Sequence, residues 1–509
     1  MPLKVLKKRP VFICNSIQDR RSETSEVIGT GYTNDLLKNL EAATSLTAEE
    51  FNIQKNKIGY FGRISYAYAN KYLVNASFRR DGSSVFGTES KWGNFPAVSL
   101  GWNAHNEDFL SENDILSKLK LRVSYGLTGS ENFDLDNDVL SNWPYLAQLG
   151  NTNAIINDVI TTGVSPLNIA NLQLQWEASE EFNPGIDFGF LNNRFSGSID
   201  YYKRTSDKLL LNIPVSYQTG FSNGIVNKGK VANSGWEFEL RTKNIVNANF
   251  FWQTTFIAST NKNELLDFGD SDGALSQDAW GRNSQWINSV GNPISSFYGY
   301  VVDESKELPG EYWDSPWLPI NGVSEDVIVK DLNGDGLITD EDKTILGDPY
   351  PEINWSITNE FKYKNFDFSF MFQGSQGAEV RNVGDQYFFS HWNGATTDEQ
   401  AVVDAGIIPD ASFLQQRVHT NDIVMSAGYV SLRNINLGYT FSNALISRIG
   451  LQSLRLYATG QNVLYITSDD YHGFNPEFID SVNTPTTYGA QRGGTPLFST
   501  YSVGLNVKF

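Results

Sequence analysis

The 509 residues carry 39 Lys and Arg against 58 Asp and Glu, and the resulting net charge of −19 argues against a nucleic-acid partner, which needs a basic face to meet phosphates. A single cysteine, Cys14, excludes a disulfide framework, a cysteine zinc site and an iron–sulfur cluster held within one chain. Aromatic residues reach 13% and charged residues only 19%, and no stretch approaches the roughly 18 uninterrupted apolar residues of a spanning helix.

Met1 to Cys14 holds Lys4, Lys7, Lys8 and Arg9, but its apolar run from Val11 is shorter than the core of about 7 to 15 residues that a signal peptide needs. Residues 1–56, including Leu36 to Leu40, show no regular alternation. They are expected to be an irregular N-terminal segment or an extracellular loop.

From Lys57 onward the dominant signal has a period of two. Ile58, Tyr60, Ile64, Tyr66 and Tyr68 face one way while Arg63, Ser65 and Ala67 face the other. Tyr72, Val74, Ala76 and Phe78 alternate likewise with Asn75, Ser77 and Arg79, and Leu119, Leu121, Val123, Tyr125 and Leu127 with Lys120, Arg122, Ser124 and Thr128. That is a strand with one apolar face, a pattern no helix can hold. Further strands are expected over 95–105, 182–191, 194–204, 235–243, 250–259, 353–362, 366–373, 429–441, 454–463 and 498–509, about thirteen in all with those three.

Connections alternate in length. Asn70-Lys71, Asn192-Asn193, 244–249 and 363–365 are tight, whereas 129–181, 261–352, 374–428 and 464–497 are long. Short turns on one side and long loops on the other are the rule for outer-membrane barrels. A sandwich is disfavoured because its strands usually have about 5 to 6 residues, and no propeller period is visible. The last segment alternates Tyr501, Val503, Leu505, Val507 and Phe509 with polar or small residues, so an outward aromatic stands where barrel-insertion machinery would read one. The fold expected is therefore all-β, an antiparallel transmembrane β-barrel embedded in outer-membrane lipid, with long extracellular loops.

Within the loop 261–352, Asp331-Leu-Asn-Gly-Asp-Gly-Leu-Ile-Thr-Asp-Glu-Asp342 has the spacing of a calcium loop. Asp331, Asn333, Asp335, the Leu337 carbonyl and Asp342 supply the oxygens that a hard dication requires, and Gly336 makes the sharp turn. Asp342 stands where a longer Glu is usual, and no helix pair flanks the loop, so structural Ca²⁺ is expected rather than a sensor. A metal-free Asx-rich turn is the competing reading. Trp143, Trp280, Trp286, Trp313, Trp317 and Trp392 lie in the long loops, where indoles can stack on sugars or anchor loop packing. His105, His391, His419 and His472 are scattered, and Glu180-Glu181 is read as the end of a loop rather than an acid–base pair, since catalytic carboxylates must face each other across substrate. No nucleophile, P-loop or dinucleotide motif occurs, so no covalent chemistry is expected.

Several of these segments together resemble the SusC/RagA family of TonB-linked outer-membrane transporters. They are Tyr72-Leu-Val-Asn-Ala-Ser-Phe-Arg-Arg-Asp-Gly-Ser-Ser-Val-Phe-Gly87, Leu119-Lys-Leu-Arg-Val-Ser-Tyr-Gly-Leu-Thr-Gly129, Asn193-Arg-Phe-Ser-Gly-Ser-Ile-Asp-Tyr-Tyr-Lys203, Asp331-Leu-Asn-Gly-Asp-Gly336, Tyr429-Val-Ser-Leu-Arg-Asn-Ile-Asn-Leu-Gly-Tyr439 and the final strand. The resemblance covers residues 57–509, read as the C-terminal part of the barrel. It implies a complete barrel of about 22 strands with a plugged lumen, a SusD-like lipoprotein lid, energy from the TonB complex through a plug region absent from this chain, and oligosaccharide or peptide cargo. By this reading the chain does not transport alone. A rival from another class is a secreted, calcium-stabilised, glycan-active β-rich enzyme, and a third reading is a glycan-binding surface adhesin. The adhesin would keep the barrel but need no plug or energy coupling.

Overall fold

The computed structural model describes residues 11–33, 39–110, 113–131, 143–156, 158–221, 223–269, 271–277, 285–306, 328–384, 419–442, 450–471, 473–480 and 486–509, together with Leu36 and Ile446. Fourteen long strands follow one another in chain order through one sheet among these residues. They are β1 (Val11–Thr30), β2 (Ser45–Tyr68), β3 (Tyr72–Ser83), β4 (Trp92–Asn103), β5 (Leu116–Ser130), β6 (Glu177–Phe190), β7 (Phe195–Asp207), β8 (Lys230–Val246), β9 (Phe250–Thr260), β10 (Ile353–Tyr363), β11 (Phe366–Gln376), β12 (Tyr429–Thr440), β13 (Ser453–Thr467) and β14 (Thr500–Lys508). A short strand, Lys262–Asp267, pairs with β8 off this path. No helix among the described residues is long and apolar enough to cross a membrane.

All thirteen strands expected from alternation are present. Of the fourteen long strands, the one not expected is β1. Residues 1–56 were expected to be an irregular segment or an extracellular loop, but β2 already begins at Ser45 and Val11–Thr30 is antiparallel to it, from Val11 opposite Ile64 to Thr30 opposite Ser45. The physical reason lies in its upper half, where Gln18, Asp19, Arg20, Arg21 and Glu23 pair with Lys57, Asn56, Lys55, Gln54 and Asn52. Neither face of that stretch is apolar, so it carries no period-two hydrophobic signal. Glu180 and Glu181 are corrected as well. Both lie inside β6 rather than in a loop, and Glu180 accepts a 3.1 Å hydrogen bond from the Tyr125 hydroxyl.

The chain divides into two compact units, one of residues 1–103, 122–183 and 204–230 and one of 104–121, 184–203 and 231–509. In the first, β1 to β4 form successive hairpins. Tyr60, Ile64 and Tyr68 of β2, Tyr72, Val74 and Phe78 of β3, and Val98 and Leu100 of β4 share one exposed apolar face, the inverse of a water-soluble sheet. Near one end of that face Tyr60 stacks on Trp92, and the Arg80 guanidinium lies 5.1 Å from the same indole. This is how a charged head is carried beside an apolar band. The buried residues of this unit lie under its long loops, where Val85, Phe86, Leu174, Trp176 and Ile225 pack together. Trp176 also donates to the Lys91 carbonyl at 3.0 Å.

In the second unit β8 to β14 continue the same up-and-down ladder. Toward its short turns, Phe250, Trp252, Phe361, Tyr363, Phe368 and Phe370 form a run of ring contacts between 5.6 and 6.5 Å. Such a girdle marks a lipid–water boundary on a barrel. The tight turns use asparagine and its neighbours in the left-handed region: Ala69 and Asn70 link β2 to β3, and Leu191, Asn192 and Asn193 link β6 to β7. Hairpin twist demands that conformation, and asparagine tolerates it.

On the opposite face, Arg455 of β13 grips Asp367 of β11 at 3.0 and 2.5 Å across the intervening β12. The pair passes over Gly438, where an added Cβ would lie 2.3 Å from the guanidinium and 2.6 Å from the carboxylate. Gly438→Ala is therefore expected to break the two-pronged pair. About three quarters of each side chain is buried, so the barrel should lose about 1–2 kcal/mol after allowance for solvent screening. The unfolding midpoint followed by heat-modified gel mobility checks this, and an unchanged midpoint would show that the pair contributes nothing.

Candidate metal centre in the long-loop region

The loop 331–342 folds around its own acidic side chains. Asp331 accepts from the Gly334 N–H at 2.6 Å and the Gly336 N–H at 2.8 Å, Asn333 Oδ1 from Asp335 N at 2.9 Å, and Asp335 Oδ1 from Leu337 N at 2.8 Å. These are nested Asx turns, each bending the backbone about a side-chain oxygen. Gly334 and Gly336 have φ of +77° and +82°, which only glycine adopts without strain, so the glycine expected at the sharp turn sits where the backbone requires it.

Asp342 is fully buried and closes the loop. Its carboxylate accepts from Leu332 N at 2.9 Å, Asn333 N at 3.3 Å and Thr339 N at 2.7 Å, the last as half of a capping box on the short 3₁₀ turn Asp340–Asp342. Burial alone would raise this carboxyl, but the backbone donors outweigh it and hold the group below the usual carboxylate range.

The structure thus gathers the five expected residues into one closed loop, with Asn333 Nδ2 donating to Asp335 Oδ2 at 3.2 Å. It does not draw the carboxylates onto a single point, since no three His, Cys, Asp or Glu side chains do so among the described residues. The donor set nonetheless fits a hard cation. An ionised carboxylate offers about four lone-pair sites, and the hydrogen bonds at Asp331, Asp335 and Asp342 leave acceptor capacity on each.

A cluster that sequence reading missed secures the loop. Lys343 pairs with Asp340 at 2.6 Å, donates to Gln285 Oε1 at 2.9 Å and lies 5.2 Å from the Tyr300 ring centroid. The Gln285 carbonyl in turn accepts from Arg381 at 2.5 Å, and the Tyr298 carbonyl accepts from the same guanidinium at 3.0 Å. Arg381 is completely buried, 5.3 Å from the Trp286 ring centroid and 5.6 Å from that of Phe297. Burial pushes its pKa down to about 9, so it stays charged at neutral pH. Carbonyls and ring faces stand in for a counter-ion there. No spacing rule marks a lone arginine in a four-residue strand, and only the fold reveals the arrangement.

Trp286 is therefore a packing residue rather than a free platform. It is 1% exposed and donates to the Tyr488 carbonyl at 3.0 Å. Trp143 is exposed, while Trp280, Trp313, Trp317 and Trp392 lie outside the described residues. His105 meets the Leu119 carbonyl at 3.0 Å. Burial, aided by Lys343 and Arg381, pushes His419 down to about 4. His391 and His472 lie outside the described residues.

Strands in chain order, an exposed apolar face, an aromatic girdle and a loop region with its own core define the wall of an outer-membrane β-barrel. The sequence narrows this further. The chain belongs to the TonB-dependent receptor family, whose model described as "TonB dependent receptor-like, beta-barrel" matches residues 18–463. TonB-dependent receptor P3 of Formosa agariphila is 32% identical over 489 residues, covering 93% of this chain and 47% of that protein. TonB-dependent receptor SusC of Bacteroides thetaiotaomicron is 31% identical over 472 residues, covering 89% and 44%. Among solved structures, that of the RagAB peptide transporter matches with a TM-score of 0.76 at 21% identity, over 100% of this chain and 54% of that one, and shares its fold. The chain spans about half the length of the curated relatives it matches. The family is an outer-membrane, non-enzymatic one, and within it the chain is similar to SusC, so the enzyme reading is set aside.

Proposed function

We propose that the chain is the C-terminal wall of a TonB-dependent importer for oligosaccharides or peptides, working with a SusD-like lipoprotein lid and driven by the TonB complex. One observation carries the reading. Among the described residues the outermost strands of the sheet, β1 and β14, each pair on one side only, and Ile13, Ile17 and Val503 are at least 75% exposed. Unpaired backbone groups in hydrocarbon cost several kcal/mol each, so a spanning sheet of this kind is completed by further strands into a closed barrel. Long loops on one side of such a barrel are the natural place for cargo capture and for a lid. The loop 331–342 is read as a structural Ca²⁺ site that stiffens this region.

Disrupting the gene in its native bacterium should abolish uptake of at least one labelled oligosaccharide or peptide pool, and the intact receptor in mild detergent should co-purify with a lipoprotein. Binding without any uptake would support the adhesin reading instead. Unchanged uptake of every pool would overturn the importer.

A further inference from the structure

On the polar face of β12 and β13, Arg433 and Tyr429 both bind the carboxylate of Glu477. Both ladders of β12 slip at one residue: Phe372 pairs with Leu432 but Met371 with Asn434, and Leu464 pairs with Leu432 but Gln461 with Asn434. Arg433 is the residue left over in each. A bulge re-aims a side chain, and such bulges gather at functional sites. Opposite it Asn462 takes φ of +50° and accepts from Arg433 Nη1 at 3.1 Å.

Arg433 is directed onto a stacked pair of rings. Tyr429 and Tyr465 lie 5.0 Å apart and 19° from parallel, and the guanidinium is 5.7 and 5.8 Å from their centroids. Gln373 Nε2 donates to the Tyr429 oxygen at 3.0 Å, which leaves the phenolic proton to point elsewhere. It points at Glu477, donating to Oε1 at 2.5 Å, while Arg433 forms an ion pair with Oε2. Two directional donors thus converge on one carboxylate.

That carboxylate is not part of the wall. It comes from the connection between β13 and β14, a segment attached elsewhere by its own bonds: Asp470 accepts from Ser426 N at 3.0 Å, and Tyr471 donates to Gln491 at 2.9 Å. Both charged side chains keep solvent access, with Arg433 19% and Glu477 27% exposed. We infer that Arg433 and Tyr429 form a site for a carboxylate group of the cargo, which displaces the Glu477 side chain from them. The inference rests on the importer reading for the word cargo, but binding is measured without transport, so the two can fail separately. The same chemistry could come from a uronic-acid glycan or an acidic peptide.

The test uses the full-length receptor in detergent with four probes: a tetragalacturonate, its methyl ester, a tetrapeptide of glutamates and its tetra-amide. At least one carboxylate probe should bind at least tenfold more tightly than its neutral partner. Removing the internal competitor in Glu477→Gln should tighten that binding about tenfold further, because the site no longer has to be vacated first. Arg433→Lys and Tyr429→Phe should each weaken it at least tenfold while barrel content by gel mobility stays the same. Equal binding of charged and neutral probes, or Glu477→Gln leaving carboxylate affinity unchanged, would overturn the inference and leave the contact as a simple loop anchor.

Discussion

Leu505→Arg should nearly eliminate the assembled barrel, whereas Asn506→Arg, one residue along, should leave most of it. Leu505 is 62% exposed on the apolar face of β14, directly opposite Leu456 of β13, and its neighbours Val503 and Val507 point the same way. Arginine on a lipid-facing position costs about 2–4 kcal/mol near the bilayer midplane, and less toward the interfaces. β14 is also an outermost strand of this sheet, with no second ladder among the described residues to share the cost. Asn506 has the opposite parity, where a charge meets the polar interior and stays hydrated, and its repulsion with Arg455 directly opposite costs less than about 1 kcal/mol. The measurement is the amount of heat-modifiable receptor in the outer-membrane fraction, with each substitution placed in the full-length protein. Equal loss from both substitutions would show that the two faces of β14 do not differ as alternation requires.

Removing calcium should open the 331–342 loop to protease while leaving the strands intact. The closely spaced carboxylates of Asp331, Asp335 and Asp342 repel one another, and a bound dication relieves that repulsion. A loop outside the cell meets concentrations that fill even a weak extracellular-class site, with a dissociation constant of about 10⁻⁴ to 10⁻³ M. The double substitution Asp331→Ala with Asp335→Ala should mimic the chelator and make the loop insensitive to added calcium. Asp342→Ala should be more damaging than either, since it takes the shared acceptor away from three partly buried backbone donors, each costing up to about 1–3 kcal/mol where water cannot replace it. Acid provides an independent check. Because the Asp342 carboxyl is held below its ordinary value, its contribution is complete above about pH 3.9 and fades as pH falls through the lowered value. If the loop is cut at one rate with and without calcium, and elemental analysis finds none, the Asx turns and the capping box alone account for its geometry.

Much of the wall was legible in the sequence because a barrel strand contrasts lipid with a polar interior at every second residue. Ile58 to Tyr68 and Tyr72 to Phe78 show that contrast without any knowledge of their partners. It disappears where both faces meet water, and the upper half of β1, with Asp19, Arg20, Arg21 and Glu23, could be assigned only through its ladder to β2. The calcium-loop spacing was equally readable, since its oxygens and glycines belong to one short stretch whose turns are local. The register slip at Arg433 also left a trace: Val430 and Leu432 keep the period of two, Ile435 and Leu437 resume it, and one residue too many stands between. What that residue meets could not be read. Gln373, Glu477, Tyr465 and Asn462 come from two other strands and a loop, as Lys343, Gln285, Trp286 and Arg381 come from separate parts of the long loops. Alternation is a property of neighbours along the chain, fixed by the pleat. Convergence of a guanidinium, a phenol and a carboxylate depends on which strands pair and where their ladders slip, and only the folded sheet decides that.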